Sequence, residues 1–216
     1  MGRRLLGFCL TMSLIVCGAT RADTMRFDFG DWDATRWRPV REGRYPAIVP
    51  FVQRLGYIEN HLPPDAREED VVAARDGLGV SMMVLRGIVA QDLVVECAMA
   101  FDRKGAPAIN FGVQRQGEVV GDTYSLVLYE KGVNLWRNTG GEWSKVGATE
   151  LPAMPGAFHD VRLYARGGRF GVYVDGRRVL RCADPRPLGP GEVGIWSGEG
   201  RCRFRAFSVS TPGAPD

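Results

Sequence analysis

The chain has 216 residues, with 28 basic and 25 acidic side chains and a formal charge of +3 at pH 7. Its first 22 residues carry three arginines and no acid, so the whole excess sits in one short leading segment. The remainder is charge-balanced. That leaves no electrostatic footprint for a phosphate backbone or an anionic membrane, and nucleic acid is not an expected partner.

The leading segment reads as a secretory signal peptide over residues 1–22. Arg3 and Arg4 precede an apolar run from Leu5 to Val16, followed by small residues and Thr20-Arg21-Ala22. The run is shorter than the roughly 20 apolar residues of a membrane span, so no transmembrane segment is expected in the mature chain. Cleavage is expected after Ala22, with Ala19 as second choice. Anchoring through an acylated Cys17 is the weaker alternative, because Val16 occupies a position that favours a small residue. Periplasmic or extracellular export follows.

Cys97, Cys182 and Cys202 remain after cleavage, an odd number for an oxidising compartment. Cys182 with Cys202 and Cys97 with Cys202 are the candidate pairs. Cys97 lies in an apolar run and is expected to be a buried small hydrophobe instead. No C-x-x-C spacing supports a zinc ribbon or a redox site.

From Thr24 to Pro50 the text is aromatic and arginine-rich. Phe27 and Phe29 alternate like a first strand, and Trp32 and Trp37 are expected to pack it onto the body. Gly56 to Asn60 is a short strand. Asp65 as an N-cap, Glu68 three residues later and Gly77 as a stop predict one short helix over Ala66 to Asp76. Strands then recur at Val80–Leu85, Asp92–Phe101, Ala108–Arg115, Thr123–Glu130, Val133–Asn138 and Trp143–Val146. The first two are apolar runs, and in Ala108–Arg115, Thr123–Glu130 and Val133–Asn138 the residues alternate with a period of two.

The stretch from Gly156 to Val209 carries the strongest signals. Val161, Leu163 and Ala165 alternate with Asp160, Arg162 and Tyr164. Gly167-Gly168 turns the chain, and Phe170, Val172 and Val174 then face one way. Asp175-Gly176 marks a two-residue hairpin, since a type I′ turn needs positive φ at both central positions. Further strands follow around Val193–Trp196 and Arg203–Val209, and residues 210–216 read as a disordered tail. The fold class is therefore all-β: a two-sheet antiparallel jelly-roll β-sandwich with one short helix, forming a single domain over residues 23–209.

The segments GAFHDVRLYARGGRFGVYVDGRRV and GEVGIWSGEGRCRFRAFSV are similar to stretches of a known group. Their order resembles the concanavalin A-like lectin/glucanase fold and, within it, the 3-keto-disaccharide hydrolase type of domain found in exported bacterial proteins. The likeness runs from Gly77 to Val209 and is clearest in its last third. It implies the jelly roll, and it would imply glycoside hydrolysis if the polar equipment matched. Where those hydrolases place a glutamate and a glutamine in the cleft, this chain has Ser125 and Val127. Gly112 stands where their preceding strand ends in arginine, and Ser197-Gly198 replaces their late His-Gly pair. No catalytic residue is carried over.

The residues themselves point the same way. Glycoside hydrolysis needs two carboxyl groups across one sugar bond, and no strand here presents such a pair. Glu118, Glu130 and Glu199 fall near predicted loop ends. His61 and His159 are far apart in sequence, so a catalytic zinc pair is not expected, and His159 shares parity with Val161 and Leu163, as a satisfied, partly buried histidine would. No cofactor is expected; calcium on loop carboxylates such as Asp102 or Asp122 stays open, although no loop shows a ligand pattern.

On the face opposite the aliphatic parity stand Asn110, Gln114, Tyr129, Asn134, Trp136 and Trp196. Flat rings suit the C–H face of a sugar, and amides satisfy hydroxyls both as donors and as acceptors. A saccharide or glycan-bearing partner is the expected ligand. The alternatives are an active hydrolase and a laminin G-like protein-interaction module.

Overall fold

A computed structural model describes residues 23–45, 48–60, 80–103, 105–198 and 200–211. The signal segment, the predicted helix over 66–76, His61 and Glu199 lie outside the described residues. No helix among those described is long and apolar enough to cross a membrane.

The N-terminal part supplies β1 (Asp23–Asp28), β2 (Trp37–Pro39), β3 (Arg41–Glu42), β4 (Phe51–Arg54) and β5 (Tyr57–Asn60). Next come β6 (Ser81–Leu85), β7 (Leu93–Phe101), β8 (Pro107–Val113), β9 (Arg115–Gln116) and β10 (Val119–Val120). The middle of the chain forms β11 (Thr123–Tyr129), β12 (Gly132–Thr139) and β13 (Glu142–Glu150). The last strands are β14 (His159–Arg166), β15 (Arg169–Val174), β16 (Arg177–Ala183), β17 (Glu192–Ser197) and β18 (Cys202–Thr211).

These build two large sheets. One runs β16-β15-β14-β7-β18-β5-β4, with β1 also paired to β18; the other runs β13-β12-β11-β8-β17-β6-β2. Their inner faces are the apolar parities read from the sequence. Val95, Met99, Leu163, Val172 and Phe207 meet Ile109, Leu126, Leu135 and Ile195 in one core, as two stacked sheets require. Around Trp37, which is 2% exposed, the rings of Phe27, Phe29 and Phe207 lie 5.3–5.5 Å away. The N-terminal aromatics therefore seal one end of the sandwich, as expected.

The expected hairpin at Asp175-Gly176 is present, with φ of 50° and 77° and Val174 opposite Arg177. In β18 the alternation is broken by a bulge between Phe204 and Ala206. The extra residue lets Phe204 and Phe207 both face inward and pushes Arg205 outward, over the Phe158 ring at 4.6 Å.

Three expectations need correction. The last strand continues through Ser210 and Thr211, paired to β1, so the ordered chain passes the boundary set at Val209. Cys97, Cys182 and Cys202 are free thiols. Cys182 lies on the edge strand β16, four strand positions from β18 in the sheet order, or about 19 Å at about 4.8 Å per strand. Cys97 and Cys202 occupy adjacent strands, but Cys97 pairs with Phe207 and Cys202 with Phe101. Neither separation suits a disulfide, whose Cα atoms sit within about 7 Å. Cys97 is the buried hydrophobe expected, 3% exposed, and burial, with Asp160 nearby, pushes its thiol pKa up.

The third correction concerns Gln114. The alternation of β8 fails at Gly112, whose φ is +60°, beside a register shift between Glu192 and Gly194. Beyond that irregularity Val113 faces outward, and Gln114 leaves the strand and is exposed. It stands next to Gly189, away from the other residues expected at the site.

Candidate functional site

The outer face of the seven-stranded sheet divides into a covered part and an open part. A small third sheet, β3-β10-β9, lies over the covered part. There Val40 and Val120 pack on Met82, Val84 and Val113, and Trp196 borders this second apolar cluster. Arg115 joins the cover to the sheet by pairing with Glu192.

The open part is a groove of about 800 Å³, within the range typical of ligand sites. Its lining includes Tyr129, Asn134, Trp136, Trp143 and Trp196, with Arg44 and Glu130. Four of the six residues expected at the site therefore come together here. Asn110 does not join them. It is 2% exposed and donates its Nδ2 hydrogen to Ser125 Oγ at 2.9 Å, so it supports the sheet from within.

Register explains the grouping. Trp136 lies opposite Lys145 on one side and Ser125 on the other, and Asn134 opposite Val127; residues directly opposite share a face. Asn138 lies opposite Trp143, which places Trp143 on that face as well. The indoles of Trp143 and Trp196 stack with centroids 6.5 Å apart and planes 18° apart. Their strands, β13 and β17, are four positions apart in the sheet order. A flat sheet would hold them about 19 Å apart, so the sheet curls, and the groove lies on its concave side.

The electrostatics pin the rings in place. Arg44 makes a two-pronged ion pair with the buried Glu42 carboxylate, and its guanidinium lies over Trp143 at 5.3 Å and Tyr45 at 5.7 Å. The Lys145 ammonium lies 4.8 Å from the Trp136 ring centroid. Asn134 Oδ1, Trp143 Nε1 and Trp196 Nε1 are shielded from solvent and have no hydrogen-bond partner among the described residues. An unmade bond of this kind costs about 1–3 kcal/mol.

Trp143 and Arg44 were not expected at the site. Trp143 was legible: the Gly140-Gly141 turn sets Thr139 opposite Glu142 and hence Asn138 opposite Trp143. Arg44 lies in a loop and carries no periodic signal.

The carboxylates separate. Among the described lining residues, Glu130 is the one carboxylate, while Glu118 is exposed in the turn between β9 and β10. No group of three potential metal ligands exists among the described residues. Asp102 is engaged by Arg201 and Arg203, and Asp122 accepts the Gly140 amide at 2.8 Å. His159 is satisfied as expected: Nδ1 lies 2.8 Å from Asp175 Oδ2, and Nε2 accepts the Met154 amide at 3.2 Å.

Two stacked antiparallel sheets, with an aromatic groove on the concave side of the curled one, have the concanavalin A-like β-sandwich fold. Solved structures agree. Bacillus licheniformis β-glucanase superposes with a TM-score of 0.64 at 10% identity, covering 87% of this chain and 98% of that one. Carbohydrate-binding module CBM66 from Bacillus subtilis gives 0.57 at 15% identity, covering 82% and 93%. A Bacillus subtilis protein with a galectin-like fold gives 0.61 at 10% identity, covering 86% and 94%. At these identities the likeness is one of fold. Neither a protein-family model nor a curated protein matches the sequence.

Proposed function

We propose that the chain is an exported saccharide-binding domain and that the concave groove is its ligand site. The observation that carries this reading is the convergence of Trp136, Trp143, Trp196 and Tyr129, with Asn134, in one groove. Ring faces match the C–H faces of a pyranose or furanose, while the Tyr129 hydroxyl and the Glu130 carboxylate meet its hydroxyls. A β-glucanase and a carbohydrate-binding module on the same architecture support the reading. The ligand is a neutral oligosaccharide, because Arg44 is already paired with Glu42, Lys145 is engaged by the Trp136 ring, and Lys131 and Glu130 balance one another in the lining.

Calorimetric titration with a panel of neutral oligosaccharides tests this. One or more members bind, and Trp136→Ala weakens that binding by about tenfold or more, the loss of one stacked ring. Absence of binding across the panel, or equal affinity in Trp136→Ala, overturns the proposal. Incubation of the same panel, with oxidised disaccharides added, separates binding from hydrolysis. Turnover abolished by Glu130→Gln would replace the binding reading with a catalytic one, because hydrolysis requires carboxyl groups at the bond.

A further inference from the structure

The charge balance of residues 23–216 conceals a segregation on the sheet face opposite the groove. Along β14 the outward residues are Asp160 at its start, then Arg162, Tyr164 and Arg166; β15 adds Arg169 and Tyr173, and β16 adds Arg178 and Arg181. Register places Arg162 beside Tyr173 and Arg178, Tyr164 beside Gly171 and Arg181, and Arg166 beside Arg169. All five arginines are exposed. Arg162 pairs with Glu96. The side chains of Arg166, Arg169, Arg178 and Arg181 have no ion-pair or hydrogen-bond partner among the described residues.

Like charges directly opposite on neighbouring strands are destabilising, and Arg166 opposite Arg169 is such a pair. The Asp92 carboxylate, which accepts the Gly167 amide at 2.8 Å in the same turn, is one anion against two cations, and an anionic partner would balance them. Neighbouring positions on this lattice recur at about 4.8 Å across strands and about 6.6 Å along them. Such a spacing suits charges repeated along a polymer better than one compact anion. Tyr164 and Tyr173 stand among the arginines with rings 5.5 Å apart and edge-on, offering a polar tip and an apolar edge. The large exposed aliphatic side chains Leu55, Val89 and Met154 are on other elements, so this strip has no wedge to enter a bilayer.

We propose that the outer face of β14–β16 docks an acidic polysaccharide, with Arg166, Arg169, Arg178 and Arg181 pairing its carboxylate or sulfate groups and Tyr164 and Tyr173 contacting its rings. The strip is separate from the concave groove, so the two sites are independent and a neutral and an acidic chain can be held at once.

Binding of a polygalacturonate oligomer and of a heparin oligosaccharide, measured against salt concentration, tests the proposal. Arg169→Gln combined with Arg181→Gln lowers affinity for at least one of them by about tenfold and flattens the salt dependence, as loss of two ionic contacts requires. Arg103→Gln, exposed but off the strip, leaves affinity unchanged. In the unmodified protein, hydrogen exchange slows over 162–181 when the acidic chain is added, a readout that needs no variant. Equal affinity in the double variant, or tighter binding to phosphatidylglycerol vesicles or a single-stranded oligonucleotide, would overturn it.

Discussion

Trp143 and Trp196 stack 6.5 Å apart, although four strand positions separate their strands. Their contact sets the curl of the sheet against the depth of the groove. Gly198 lies directly against this pair: a Cβ there would meet the Trp196 ring at 2.6–2.7 Å. The indole is held on one side by Trp143 and on another by the Met82–Val84 cluster, so it must yield toward the groove. Gly198→Ala is therefore expected to shift tryptophan emission and weaken saccharide binding. The fold survives, at an overpacking cost of about 1–3 kcal/mol. Fluorescence and titration of one variant check both halves.

Tyr124 carries a pH dependence. Its hydroxyl donates to Asp184 Oδ2 at 2.6 Å and accepts the Leu188 amide at 3.2 Å, tying β11 to the segment between β16 and β17. Burial, and then the bond to Asp184, push its pKa from 10.0 to about 12. The folded state thus keeps a proton that the unfolded chain releases earlier. The stability this supplies is fully present below pH 10 and is lost as pH rises through about 12. Tyr124→Phe removes that alkaline component, so urea midpoints of variant and parent converge between about pH 10 and about pH 12.

Asn110 and Ser125 form a polar pair buried in the sheet, with the Asn110 Oδ1 already lacking a partner. Ser125→Ala removes the acceptor of the amide hydrogen as well, at a cost of about 1–3 kcal/mol. Adding Asn110→Leu restores part of the loss, because removing both polar partners is far cheaper than stranding one. Chemical denaturation of the two single variants and the double variant gives the coupling directly. Additive losses would show that the pair is not a unit.

Alternation told reliably which residues face the core. Val161, Leu163 and Ala165 point inward and Arg162 and Tyr164 outward, because a period of two is all that a half-buried strand needs. It could not tell an open outer face from a covered one. Asn110 and Asn134 share an outward parity, yet one lies under its neighbours while the other lines the groove. That difference depends on the curl of the sheet and on which elements lie above it. Gln114 was misplaced for another reason: one irregularity at Gly112 inverts every assignment after it. The arginine strip was hidden differently, since a net charge sums over faces that the fold keeps apart.

The place of β18 has a consequence for how the molecule is made. It pairs with β7 along one edge, and along the other with β5 and then β1. Thr24 and Ser210, 186 positions apart, share a hydroxyl contact at 2.8 Å. Until this strand emerges from the ribosome, the eight-stranded sheet is three pieces (β16-β15-β14-β7, β5-β4 and β1 alone) with raw edges and no seam between them. Closing so distant a pairing adds little to the entropic cost, but it slows assembly and leaves the nascent edges prone to stick to other chains.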